Sequence, residues 1–321
     1  MFVVFLTSAI AISTIFLFGC VGEIITEKAG HLNLGLPGIM CAGSAGGCYG
    51  VSLYMNSLAD PSKASWILLI LISVALAFAF AAVFGGIYAF LTVSLRSNQN
   101  VTGLALTTFG AGFTQFFMNS YVDKSNFAKA SLLFKASLPF ADSLGWFGDI
   151  FLSHGVLVYL AIVIALIAGI VLNKTKVGLR LRAVGENPGA ADAVGINVNR
   201  YKYSAILIGS GIAGLGGLFF VMDYIKGSWQ NASTIEAFGW LSIALVIFTL
   251  WKPIVSIPGA IVFGGLYIAC SYLRVSFNVM KLLDMLPYVV TIIVLIITSI
   301  RNSKENQGPA SLGLAYFREE R

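Results

Sequence analysis

Few residues in this chain have the types and spacing that enzyme chemistry requires. His31 and His154 lie far apart and lack the clustered partners of a metal site or a nucleophilic site. Glu23 and Glu27 stand four residues apart on one helix face, which predicts a polar helix end at a membrane edge, with a proton relay as the alternative. The sequence contains no HExxH, GxSxG or GxxxxGK[ST] motif. We therefore predict no catalytic residue, no metal site and no cofactor in this chain.

One stretch formally matches the dinucleotide-binding pattern GxGxxG. It covers residues 209–214, and Glu236 follows at a distance that would suit a ribose contact. The flanking residues do not form the alternating strand and helix pattern that this motif needs. Gly209, Ala213 and Gly217 instead recur every four residues on an apolar helix, a spacing that lets membrane helices approach closely. The pattern therefore predicts helix packing.

Several polar side chains lie within or beside apolar stretches. Such groups are costly in lipid, so they face neighbouring helices or a cavity. They are candidates for lining a substrate pathway, although a helix cap or a hydrogen bond between helices is the favoured interpretation of any single one. The aromatic content of 13% would suit stacking on a nucleobase, although tryptophan and tyrosine at membrane interfaces also explain it. The candidates are Asn33, Asn100, Gln115 and Asn119, together with Asp223.

Composition indicates an integral membrane protein. The 321 residues are 58% hydrophobic and only 11% charged, too few charges to cover the surface of a soluble protein of this size. The net charge of +6 does not indicate a nucleic-acid partner, because the basic residues lie between apolar runs instead of on one face. The four cysteines lie in apolar stretches without CxxC pairing, and we predict buried reduced thiols.

Apolar runs of about 20 residues, enough to cross a bilayer as a helix, recur along the chain. The fold class predicted is an all-α polytopic membrane protein of about nine transmembrane helices, with an inverted repeat and broken helices. The glycine-rich run 36–56 and the short run 238–251 are the candidates for broken or re-entrant helices. The first run reads as a retained helix and not as a cleaved signal peptide. The predicted spans are 2–22, 36–56, 66–93, 101–118, 151–172, 203–222, 238–251, 254–273 and 285–300.

Basic residues predict the orientation. Placing the loop 173–202 in the cytoplasm puts 13 of the 20 lysines and arginines inside. Three of the other seven lie in one long loop, where charge has little effect on orientation. The N-terminus is then outside and the C-terminus cytoplasmic, in a multi-pass protein of the cell inner or plasma membrane. The predicted organisation is a transmembrane domain over 1–300, with a structured external loop at 119–150, and a cytoplasmic tail at 301–321.

The loop 173–202 contains the clearest local signal in the chain. Asn187 is a good N-cap, Pro188 suits the first helical position, and Gly195 favours a left-handed stop. These residues predict a short helix over 187–195, about 10 Å long. A helix this short is marginal alone in water, so we interpret it as a rigid knob for a partner protein. The alternative is a solvated connector.

This loop resembles the coupling-helix loop of ATP-binding-cassette importer permeases of the sugar, nucleoside and branched-chain amino acid group. Residues 27–40 resemble a segment that this family carries after an early helix, departing from it at His31, which is usually apolar, and at Pro37. Residues 203–217 resemble the helix after the coupling loop, so the resemblance spans most of 20–300. The matching residues in the loop are Arg180, Arg182, Ala183, Gly185, Glu186, Asn187, Pro188, Ala190, Ala191, Gly195 and Ile196.

The resemblance implies a permease subunit that forms half of an import pathway, most like the shorter nucleoside permease. It implies that a separate ATPase subunit or tandem ATPase binds ATP and magnesium. It further implies a second, longer permease in a heterodimer, an extracytoplasmic substrate-binding protein and a small-molecule substrate. The residues expected to couple to the ATPase are Arg182, Gly185, Glu186, Asn187, Pro188, Ala190, Ala191, Asp192 and Gly195.

Other functions remain open at this point. The substrate expected first is a nucleoside, followed by a simple sugar and then a branched-chain amino acid. A secondary transporter or channel that works without ATP is the main alternative, because the glycine-rich segment would also suit it. A purely structural membrane scaffold is the third.

Overall fold

A computed structural model describes residues 2–136, 145–272, 285–301 and 307–317, together with Val279 and Leu283. The regular elements in these ranges are helices. They are α1 (Phe2–Glu27), α2 (Leu36–Ser57), α3 (Trp66–Ala89), α4 (Gln99–Ser120), α5 (Phe127–Phe134), α6 (Gly145–Phe151), α7 (Val156–Lys174), α8 (Lys176–Glu186), α9 (Pro188–Ala193), α10 (Val198–Phe219), α11 (Ser233–Phe248), α12 (Pro253–Tyr272) and α13 (Leu286–Arg301).

Each of the nine predicted spans corresponds to a helix, so the all-α membrane fold is confirmed. The spans correspond to α1, α2, α3, α4, α7, α10, α11, α12 and α13. Among the described residues, α1, α3, α7 and α10 are long and apolar enough to cross a membrane, judged by length and composition. The shorter helices α11 and α12 are also apolar.

The runs 36–56 and 238–251 are the candidates for broken or re-entrant helices, and neither of their helices is interrupted in the structure. Both α2 and α11 are continuous, with Pro37 accommodated in the first turn of α2, where a proline costs no hydrogen bond. Lys252 and Pro253 follow a tight turn in which Leu250 and Trp251 take positive φ, so this proline begins α12. Departures from α geometry occur at the ends of α3 and α10, which continue as π-helical turns. The predicted inverted repeat stays a prediction.

Helix α10 lies at the centre of the bundle. In the most apolar stretch of α10 and its π turn, 89% of the residues are buried, against 28% in α3. A Cβ atom on Gly209 would collide with the Gly22 carbonyl of α1, and one on Gly217 with the Met40 carbonyl of α2. The small residues therefore bring helix backbones into contact, and the helix-packing interpretation of residues 209–217 is confirmed.

Hydrogen bonds between distant segments define two ends of the bundle. At the end that carries α8 and α9, Leu32 N–H donates to Gln99 Oε1 at 2.8 Å. At the end that carries α5 and α6, Asn56 Nδ2 donates to Asp123 Oδ2 at 3.0 Å. We call these the α8–α9 end and the α5–α6 end. The loop 119–150 contains α5 and α6, and its residues 137–144 lie outside the described part of the chain.

Candidate functional site

Local sequence signals account for the short helix α9. Asn187 has extended backbone angles, and its Oδ1 accepts from Ala190 N–H at 2.9 Å, which caps the first turn. Pro188 occupies that turn, and Gly195 closes the helix with a φ of 83°. The predicted cap, first-turn proline and stop are confirmed. The helix itself covers Pro188–Ala193, a shorter range than predicted.

Helix α8 precedes α9 and was not predicted. Thr175 Oγ1 accepts from Gly178 N–H at 3.1 Å and caps its start. Leu181 and Val184 are buried three residues apart, while basic side chains such as Arg180 face outwards. This amphipathic spacing is visible in the sequence and is a usable signal for α8.

The expected coupling residues divide into three groups by exposure: buried, half-buried and exposed. Ala191 is 2% exposed and packs with Val184 and Val198, so its small side chain holds α9 against α8 and α10. Gly185 is also buried, and a Cβ atom at this position would collide with the Lys28 carbonyl. Arg182, Pro188 and Asp192 are half-buried, whereas Glu186, Asn187, Ala190 and Gly195 are exposed. The exposed group forms the face that a partner protein could contact.

The C-terminal segment 307–317 crosses the α8–α9 end. Ser311 N–H donates to the Gly185 carbonyl at 3.1 Å, and the Tyr316 hydroxyl donates to Asp192 Oδ2 at 2.9 Å. Ala310 N–H donates to Glu186 Oε2 at 3.3 Å. Three of the expected coupling residues therefore form hydrogen bonds with the tail of the same chain. These bonds restrain the α8–α9 pair.

The turn between α1 and α2 is held by buried polar groups at the same end. Glu23 Oε1 accepts from Asn33 N–H at 3.0 Å, and Asn33 Oδ1 accepts from Gly35 N–H at 3.0 Å. Trp251 Nε1 donates to the Glu27 carboxylate. Asn33 thus acts in the structure as a turn residue before α2, and Glu23 and Glu27 tie the end of α1 to neighbouring segments.

Burial shifts the pKa of two basic groups in this turn. Desolvation lowers the pKa of Lys28, an effect that Glu186 opposes and Arg182 reinforces. Desolvation lowers the pKa of His31 to about 3, and the charge of Lys202 adds to this shift. His31 is therefore neutral at physiological pH. Both of its ring nitrogens lack a hydrogen-bond partner among the described residues.

The polar candidates for a substrate pathway do not meet at one place. Asn100 is exposed at the α8–α9 end of α4, fifteen residues and about 22 Å before Gln115 on the same helix. Gln115 Oε1 accepts from Ala232 N–H at 3.1 Å. Asn119 is exposed, and its Oδ1 accepts from Lys124 Nζ at 3.2 Å. The candidates therefore divide between the two ends: Gln115 and Asn119 lie at the α5–α6 end, where Asp223 is also buried, and the other two lie at the α8–α9 end.

A stripe of polar or small residues in the second half of α4 is not covered by the rest of the described chain, and two exposed phenylalanine side chains lie beside it. Thr108, Gly112 and Asn119 are exposed and Gln115 is half-buried, at spacings of three and four residues. A Cβ added to Gly112 would have no atom within 4 Å. A polar helix face without cover is costly in lipid, so this face fits a partner subunit or a water-filled path.

A cavity of about 320 Å³ lies at the α5–α6 end, next to the Ala232 that Gln115 contacts. The Phe220 and Tyr224 rings on its wall are nearly parallel, with their planes at 24° and their centroids 6.0 Å apart. The sequence interpretation missed this site, although aromatic residues four apart before a polar run at 228–234 were a usable signal. Its lining combines aromatic and polar groups from Phe220, Tyr224, Ile225, Ser228, Gln230, Asn231, Thr234, Phe238 and Tyr267.

The cysteines and acidic residues provide no metal site in the described part of the chain. No group of three or more histidine, cysteine, aspartate or glutamate side chains is placed there to hold an ion. Cys20, Cys41 and Cys48 are buried free thiols, which confirms that prediction for these three. The side chain of Cys270 lies outside the described part.

Comparison with known proteins identifies relatives over nearly the whole chain. Residues 5–296 match the family model described as the branched-chain amino acid transport system permease component. TsgC13 of Haloferax volcanii, provisionally named a glucose ABC transporter permease protein, is 32% identical over 81% of this chain and 74% of its own length. NupC of Lactococcus lactis subsp. cremoris, a nucleoside ABC transporter permease protein, is 32% identical over 88% of both chains.

The same Lactococcus strain has a second relative. NupB, also a nucleoside ABC transporter permease protein, is 24% identical over 75% of this chain, which corresponds to 65% of NupB. This chain therefore matches NupC along most of its length, whereas about a third of NupB extends beyond the matched region.

Proposed function

Because this chain belongs to the family of branched-chain amino acid transport system permease components, we propose that it forms half of a nucleoside import pathway driven by a separate ATPase. Its relatives are permeases of ATP-binding-cassette transporters of the nucleoside and sugar type. The chain is thus a multi-pass membrane transport protein and not an enzyme. Membership of this family implies an ATPase partner and a second permease.

The proposed contact for the ATPase is the exposed face of Glu186, Asn187 and Ala190. This face lies on a short helix that is capped at its start and packed against α8 and α10 through Ala191. A force on α9 would therefore reach α10, whose most apolar stretch is 89% buried within the bundle. In this proposal the partner ATPase binds ATP and magnesium, and its closure moves α9 to switch access between the two sides of the membrane.

The proposed pathway runs along the exposed polar face of α4. Gln115 connects this face to the loop before α11 through its bond to Ala232. A second permease that packs against this face of α4 would exclude lipid from it. The comparison with NupC and NupB supports a longer partner of the same family. An extracytoplasmic substrate-binding protein would then dock at the α5–α6 end.

The cavity at the α5–α6 end carries the proposal for a nucleoside substrate. Its aromatic walls suit stacking on a nucleobase, and its amide and hydroxyl groups suit hydrogen bonds to polar edges. The nucleoside transporter relatives support the same substrate class. A simple sugar is the second candidate, favoured by the relative named for glucose. A branched-chain amino acid and transport without ATP are the remaining alternatives.

Uptake into proteoliposomes tests this function. We expect labelled nucleoside to accumulate only when this chain is reconstituted with its second permease, the ATPase and ATP. Replacing Phe220→Ala should reduce uptake at limiting substrate about tenfold, because stacking on one aromatic ring contributes roughly 1–3 kcal/mol. Tyr159→Phe, which lies outside the cavity, is the control.

Three outcomes would contradict parts of the proposal. Uptake of glucose with no uptake of nucleoside would overturn the substrate class. Uptake driven by an ion gradient in the absence of the ATPase would overturn the energy source. Equal uptake by the Phe220→Ala and Tyr159→Phe proteins would remove the cavity from the pathway.

A further inference from the structure

A second and larger cavity, of about 830 Å³, opens between α7, α8 and the first half of α10. We call it the α7–α10 groove. Its walls are mainly aliphatic, and several of the aliphatic side chains are exposed, among them Ile167 at 54% and Ile208 at 49%. These residues lie within α7 and α10, two helices long enough to span the membrane. The groove is therefore open at the depth of the lipid chains.

Two arginines line the groove where the helices leave the membrane. Arg180 on α8 and Arg200 in the first turn of α10 are both exposed, and no acidic residue is among the described residues that line the groove. Arg200 stands at a helix N-terminus, where the macrodipole is already positive. The mouth of the groove thus concentrates positive charge, which a bound anion would balance.

The length of the groove matches one leaflet of a bilayer. Its deepest lining residue on α10, Ile212, follows Arg200 by twelve residues, or about 18 Å along the helix axis. Half of a hydrocarbon core is about 15 Å thick. A phosphate at the arginines would therefore place an acyl chain along the aliphatic wall as far as the bilayer midplane.

We infer that the α7–α10 groove is a binding site for one anionic phospholipid, whose phosphate bonds to Arg180 and Arg200. The positive charge at the mouth favours an anionic headgroup. The aliphatic wall favours an acyl chain attached to that headgroup, and free phosphate has no such chain. Basic pockets between transmembrane helices recognise lipid headgroups in this way. The bound lipid would brace α8 against α10, directly beside the short helix α9. This site is separate from the substrate cavity, which lies at the other end of the bundle.

Lipid titration followed by native mass spectrometry tests the site on the full chain purified in detergent. We expect dioleoyl phosphatidylglycerol to bind at least tenfold more tightly than dioleoyl phosphatidylcholine. The double variant Arg180→Gln/Arg200→Gln should bind phosphatidylglycerol roughly thirtyfold more weakly, since each arginine near a membrane surface contributes about fivefold. The matched double variant Lys63→Gln/Lys129→Gln, at exposed positions of the α5–α6 end, should bind it as the natural protein does.

A third variant tests whether the acyl chain lies in the groove. Ser204 is exposed and lines the groove, so Ser204→Trp should obstruct it and weaken binding of both lipids without burying a larger residue in the core. Unchanged binding by this variant, or equal binding of the two lipids by the natural protein, would overturn the inference. Displacement of phosphatidylglycerol by an equal concentration of inorganic phosphate would show a bare anion site and would also overturn it.

The occupant in native membranes is checked by a photo-crosslinker at Val177, an exposed residue that lines the groove. A covalent adduct with the mass of a phospholipid is expected. An adduct with a protein in its place would show that a partner covers the groove and would overturn the lipid assignment.

Discussion

His31 illustrates how a single buried residue can set the response of this protein to pH. Its side chain is 1% exposed in the turn between α1 and α2, and its ring approaches the Tyr88 ring edge-on at 6.5 Å. Neither ring nitrogen has a hydrogen-bond partner among the described residues. Burying a polar group without such a bond costs about 1–3 kcal/mol, which a residue of similar volume without polar atoms would avoid.

We predict that His31→Leu raises thermal stability and makes it less sensitive to acid. The pKa of His31 is about 3 in the folded protein and about 6.5 in the unfolded chain. As pH falls below 6.5 the unfolded chain binds a proton that the folded protein does not bind, so stability falls, by about 2 kcal/mol at pH 5. Melting temperatures in detergent at pH 7 and pH 5 measure this loss. An equal drop in the natural and variant proteins would contradict the assignment.

At the scale of elements, the α8–α9 pair is held from two sides. Gly185 touches the Lys28 carbonyl on one side and accepts from Ser311 N–H on the other. The tail residue Tyr316 also contacts α9 through Asp192. A short helix that is marginal on its own therefore becomes rigid through contacts with the turn after α1 and with the tail. Such rigidity is what transmission of a force from a partner requires.

We predict that Gly185→Ala disrupts this arrangement whereas Gly189→Ala does not. A methyl group on Gly185 would push α8 away from the α1–α2 turn, and we expect about tenfold less ATPase to copurify with the chain. A methyl group on Gly189 meets only Asn187 Oδ1, at 3.5 Å, and alanine favours a helix. Copurification of the ATPase in quantitative pull-downs measures both effects. Equal recovery with the two variants would show that the docking of α8 is not needed for coupling.

For the whole molecule, the two ends of the bundle perform different proposed tasks. The α8–α9 end would receive the ATPase, and the α5–α6 end carries the aromatic cavity. The helices between them join these sites across the membrane, so the proposal depends on which end faces the cytoplasm.

We predict that a membrane-impermeant maleimide labels Lys129→Cys in intact cells and labels Lys176→Cys, at the start of α8 and outside the proposed ATPase contact, only after permeabilisation. Both positions are exposed, and Cys20, Cys41 and Cys48 are buried. The expected pattern follows from the excess of basic residues around the loop 173–202. The reverse pattern would place α9 outside the cell and leave the proposed coupling without an ATPase to contact.

Local and one-dimensional features of this protein follow from the sequence alone. Long apolar runs predict membrane helices because a bilayer demands about 20 apolar residues for each crossing. The cap at Asn187 and the stop at Gly195 could be predicted because they depend on backbone groups within a few residues. The glycine spacing at 209–217 likewise predicted close packing, although not which helices would meet.

The roles of isolated polar residues were decided only by the tertiary structure. Asn33 serves a turn because Glu23 comes within 3.0 Å of its backbone, and Gln115 reaches Ala232, which is 117 positions away in sequence. The aromatic cavity and the α7–α10 groove are likewise lined by residues from separate helices. A single sequence specifies the chemistry of each side chain, but these sites exist only where packing brings distant segments together.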